Sequence, residues 1–72
     1  MTDKNLLRSA MFAKGITADM LADILGISRQ SFSYKLNNKR PFSTNEISIM
    51  SHELGLSPVQ LYEIFFTKQV EE

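Results

Sequence analysis

Arg29, Gln30, Ser33 and Tyr34 are the side chains in this sequence whose types and spacing are best suited to recognition chemistry. A guanidinium can donate a bidentate pair to guanine, a carboxamide can do the same with adenine, and a hydroxyl can donate or accept. All four fall on one short predicted helix, where Phe32 and Leu36, four apart, claim the inner side. The polar groups are left outside near the helix N-terminus, the part of a recognition helix that reaches the floor of a major groove.

Other constellations carry less. His52 is the only histidine and the chain has no cysteine, so a thiolate metal site, a disulfide and a cysteine nucleophile are all excluded. Asp19 and Asp23 stand four apart on a short exposed helix with no cleft implied, which reads as a solvated face rather than an acid/base pair. Met11, Met20, Met50 and the phenylalanines read as core filler, not as a cofactor box. No Gly-rich phosphate loop or nucleophile elbow is present. An enzyme is therefore not expected, nor is any cofactor or metal.

The elements that must position Arg29 and its neighbours lie in residues 17–36. Thr17 can cap a helix running to Leu25, in which Leu21, Ala22, Ile24 and Leu25 form the apolar face. Gly26 ends that helix, Ile27 turns inward, and Ser28 caps the next helix through Leu36. The pattern is helix-turn-helix.

The charge distribution supports a polyanionic partner despite a net charge of zero. Between Asp23 and Glu46 stand Arg29, Lys35, Lys39 and Arg40 and no acid, whereas residues 46–72 hold five glutamates against Lys68 alone. Such polarity would orient the chain toward a polyanion. The bland alternative is a solvated basic loop.

The remaining pattern reads as three more helices around this pair. Residues 3–14 form the first, with Leu7, Ala10 and Met11 inward, Leu6 and Phe12 off that line, and Gly15 as the stop. Asn37 to Phe42 is a loop in which Asn38 suits a positive φ and Phe42 anchors the core. Ser43 and Glu46 make a capping box for a helix from Thr44 to the stop at Gly55, burying Ile47, Met50 and Leu54. Ser57-Pro58 opens the last helix, with Leu61, Ile64 and Phe65 inward and the tail from Lys68 frayed. With 72 residues, one domain with an ordered core over 4–67 is expected, and neither a signal peptide nor a membrane span is seen. A cytoplasmic location follows from the same features together with the lack of cysteine.

Ile16-Thr17, Leu21-Ala22, Leu25-Gly26-Ile27-Ser28, Asn37-Asn38-Lys39-Arg40 and Leu54-Gly55-Leu56-Ser57 occur in the order of the landmarks of the Cro/C1-type (XRE) helix-turn-helix family. The chain resembles these lambda-repressor-like domains of phage and bacterial regulators over residues 5–66. The resemblance implies an all-α, five-helix domain whose third helix enters the major groove, commonly as a homodimer. It implies base contacts from Arg29, Gln30 and Tyr34, to which the residue reading adds Ser33. It implies phosphate contacts from Ser28, Asn37, Asn38 and Lys39, with Thr17, Lys35 and Arg40 beside them. Three departures stand out. Ala18 occupies the place of a phosphate-binding glutamine, Asn38 that of a glycine, and Met11 and Leu36 those of a partly buried Arg and Glu. Losing both charges together can be neutral, so Met11 and Leu36 are expected to touch.

Two functions follow. The first is a sequence-specific transcriptional regulator of double-stranded DNA, a small repressor or Cro-like protein. The second is a protein-interaction module on the same fold, which acts through the acidic C-terminal half. Phe65, Phe66 and Val70 are the expected dimer or partner surface, although Phe66 could instead complete the core. With no separate effector domain expected, no small-molecule effector is foreseen.

Overall fold

A recurring three-residue punctuation organises the chain: Gly15-Ile16-Thr17, Gly26-Ile27-Ser28 and Gly55-Leu56-Ser57 each end one helix and start another. In the computed structural model, which describes residues 1–66, these cassettes separate five α-helices. They are α1 (Lys4–Lys14), α2 (Ala18–Leu25), α3 (Arg29–Leu36), α4 (Thr44–Leu54) and α5 (Pro58–Phe65). No strand occurs among the described residues, so the protein is all-α.

Local hydrogen bonds explain each corner. At Gly26 the backbone takes φ 73°, a left-handed turn that glycine enters without a Cβ penalty. The Ile27 amide then donates back to the Ala22 carbonyl at 3.0 Å, closing the helix end. The Ser28 hydroxyl accepts from the Ser31 amide at 3.0 Å and starts α3. The same exchange recurs with Ile16 on Met11 and with Leu56 on Ser51. Ile16, Ile27 and Leu56 all pack half-buried against the core.

Packing completes the arrangement. Helix α2 lies against α3 and α4, and α1 against α4 and α5. Leu7, Leu21, Phe32 and Met50 are fully buried at the centre. Phe42 stands between Phe32 and Phe65, with ring centroids 5.8 Å and 5.9 Å away, the second pair edge to face. No helix among the described residues is long and apolar enough to cross a membrane.

Some expectations shift. Helix α1 starts at Lys4, with Asp3 as its cap. Ile24 is exposed, because α2 turns Leu21 and Ala22 to the core and leaves only Leu25 half-buried beside them. Leu61 is half-buried on the core edge.

Candidate nucleic-acid interface

Helix α3 has eight residues, and at about 100° per residue its outward arc carries positions 29, 30, 33 and 34. Arg29, Gln30 and Tyr34 are exposed there and Ser33 is half-buried. The Gln30 side-chain amide donates to the Tyr34 hydroxyl at 3.2 Å, which aligns the two along the surface. Arg29 Nε donates to Asp19 Oδ1 at 3.1 Å, with both side chains mostly in solvent. A pair so exposed is worth little, and the guanidinium can exchange it for a stronger acceptor.

The cap hydroxyls frame this arc. Thr17 accepts from the Met20 amide at 3.1 Å, and Ser28 is engaged as described above. Each hydroxyl keeps its own proton to donate, and both residues are exposed. Beyond α3, Lys39 and Arg40 are exposed in the loop before α4.

One expected phosphate contact is corrected by the structure, and a second is found tied back to the chain. Lys35 does not face outward. It lies five residues after Gln30, about 140° around the helix, and its Nζ binds Glu46 Oε1 and Oε2 at 2.9 Å and 2.7 Å. The pair is largely shielded, with 17% and 12% of the side chains exposed. Asn38 takes the expected positive φ, 62°, but its side chain is already committed. It accepts from the Thr2 amide and donates to the Thr2 carbonyl, both at 2.9 Å, across 36 residues of sequence. It is a clamp on the chain before α1, and one Nδ2 hydrogen of this exposed residue is left to donate.

Asn37 stays exposed but is oriented. Its Nδ2 donates to the Ser33 carbonyl at 2.9 Å, and its Oδ1 accepts from Lys4 Nζ at 3.1 Å. Lys4 thereby joins the basic surface, a placement the sequence did not signal because its partner lies 33 residues away.

The expected partner surface also changes. Phe65 is buried, 3% exposed, because it closes the aromatic row with Phe42. Phe66 does not complete the core: it is half exposed and stacks on Tyr62 at 6.4 Å, with Val59 exposed one helical turn earlier. Val70 lies outside the described residues. Beside Phe66 an open apolar groove of about 660 Å³ runs between α4 and α5, lined by Ile47, Leu56 and Leu61.

Met11 and Leu36 are both buried and line the same depression between α1 and α3, as the paired loss of charges implied. The Glu46 carboxyl feels two opposed influences. Burial pushes its carboxyl up, but the Lys35 ammonium and the Ser43 amide outweigh that and hold it below the usual value of 4.5. Among the described residues no three His, Cys, Asp or Glu side chains gather as a metal site. No family model, curated protein or solved structure compared with the chain matches it.

Proposed function

We propose that the protein is a sequence-specific regulator that binds double-stranded DNA by laying α3 in the major groove, α2 and α3 acting as a lambda-repressor-like helix-turn-helix. The observation that carries this reading is the outward arc of α3, where Arg29, Gln30 and Tyr34 stand exposed beside the basic loop of Lys39 and Arg40. Arg29 and Gln30 read base edges, Ser33 and Tyr34 add contacts, and Thr17, Ser28, Asn37, Lys39 and Arg40 hold phosphates. The chemistry required is binding, with no catalytic step, no cofactor and no small-molecule effector. The site of action is the compartment that holds the DNA, the cytoplasm of a bacterial cell.

Selection of bound sequences from a random duplex pool, at low and at higher salt, tests this directly. An enriched site that survives the higher salt supports the reading; no enrichment, with binding vanishing as salt rises, refutes it. Within the selected site, Arg29→Ala costs about 1 to 3 kcal/mol and relaxes one base pair. Lys39→Ala weakens all sequences alike and lowers the salt slope by about 1. Equal losses on every sequence for both variants would remove Arg29 from base reading.

The exposed row of Val59, Tyr62 and Phe66 supports self-association. In a homodimer joined there, the two α3 helices would stand about 34 Å apart to meet successive major grooves. Sedimentation of the protein against Phe66→Ala checks this: the variant shifts toward monomer, whereas identical profiles would clear α5 of that role. The same row is what favours the second reading, a protein-interaction module, should no duplex be selected.

A further inference from the structure

A second surface adjoins the outward arc of α3 and shares Arg29 with it. Arg8 and Phe12, four apart on one face of α1, stand with Thr17 and Arg29 around a depression of about 310 Å³ whose floor is Met11 and Leu36. Phe12 is 89% exposed, the most exposed large apolar side chain described, and no contact within the fold accounts for it. Arg8 is exposed and makes no ion pair among the described residues. The only carboxylate among these pairs near the rim, Asp19, is taken up by Arg29. The depression is thus lined by apolar side chains and by two guanidiniums, one unpaired among the described residues and one held in a weak exposed pair.

We infer that this face of α1 is a continuation of the DNA-binding surface: a duplex strand flanking the bases read by α3 crosses it, with Arg8 on a phosphate and Phe12 against a deoxyribose or a thymine methyl. The inference rests on the reading proposed above and extends it to α1. Charge decides the occupant. Two guanidiniums lining an apolar dip, Arg29 exchanging its exposed partner Asp19 for a phosphate, match a strand that alternates anionic phosphate with apolar sugar, and the same cations disfavour a purely apolar partner helix. Contacts of this kind position the protein and, through a thymine methyl, can also discriminate.

The test uses the full chain and a duplex carrying the selected site with long flanks. Arg8→Gln binds about tenfold more weakly and lowers the salt slope by about 1, while Phe12→Ser loses about tenfold with its slope unchanged. Both variants melt like the parent, since neither side chain is buried. On a duplex trimmed of the flanking base pairs the parent loses both contacts, and parent, Arg8→Gln and Phe12→Ser bind alike. If Arg29→Ala and Lys39→Ala lose affinity but Arg8→Gln and Phe12→Ser bind like the parent, the extension to α1 is wrong and the α3 reading stands. If Phe12→Ser alters sedimentation and not DNA affinity, the face is a protein seam and the inference fails. If the parent selects no duplex at all, the reading beneath it has failed and this goes with it.

Discussion

Replacing Lys35 by methionine lowers the folding stability by about 1 to 3 kcal/mol and weakens its loss in acid. Glu46 makes three hydrogen bonds through its carboxylate: two from Lys35 Nζ and one from the Ser43 amide at 2.9 Å, the last being half of the α4 capping box. Without the ammonium, a mostly shielded carboxylate keeps only its cap partner, and leaving one member of such a pair alone costs more than the pair contributes. The sign of the pH effect follows from the depressed carboxyl. A group held below its unfolded value of 4.5 gives stability that is fully present above that value and is lost as pH falls through the folded one. In Lys35→Met both contributions of the ammonium vanish, only Ser43 still opposes burial, and the acid-linked loss shrinks. Chemical unfolding followed by circular dichroism, from about pH 7 down to about pH 3, separates the two curves. A variant within about 0.5 kcal/mol of the parent, with the same acid profile, would show that the pair is idle. On the DNA-binding reading proposed above, the folded fraction of the variant keeps the parent's salt slope, because Lys35 faces inward.

Phe32→Ala removes a large share of the folding stability. Its side chain is fully buried and touches the ring row through Phe42, so truncation removes about 3 to 5 kcal/mol. A domain of 72 residues has about 4 to 11 kcal/mol to lose. The change strikes the one side chain by which α3 reaches both the loop and, through Phe42, α5. Phe32→Leu, which keeps most of the volume, retains the fold at a smaller loss. Urea unfolding of both variants checks the order, and a loss below about 1.5 kcal/mol for the alanine would mean that the core closes over the gap.

What could be read from the sequence was what depends on near neighbours. Thr17, Ser28, Ser43 and Ser57 cap helices through bonds to residues three positions on, so residue type and spacing suffice. The spacing of Leu7 and Met11, or of Phe32 and Leu36, likewise fixed which sides are buried. The candidate site was legible where it needs only an outward arc, as with Arg29 and Gln30. It failed where a distant partner decides. Lys35 is drawn away by Glu46 and Asn38 by Thr2, and nothing beside either residue announces those partners. For Lys35 a signal did exist, since counting 100° per residue from Gln30 turns it away from the arc. Phe65 and Phe66 are adjacent aromatics, and only the position of Phe42 determines which of them is enclosed.

The clamp between Asn38 and Thr2 sets one corner of the molecule apart. The other three are cassettes whose shape is written within a few residues, so they are portable units that tolerate change elsewhere. The turn after α3 is instead steered from the opposite end of the chain, and it presents Lys39 and Arg40. Because Asn38 grips the main chain of Thr2, a change of Asn38 rather than of the Thr2 side chain frees the loop, and on the DNA-binding reading proposed above this would retune how the loop meets a duplex while the α3 arc stays untouched. On that reading, the grip on the backbone and the sequence read drift separately in an evolving lineage.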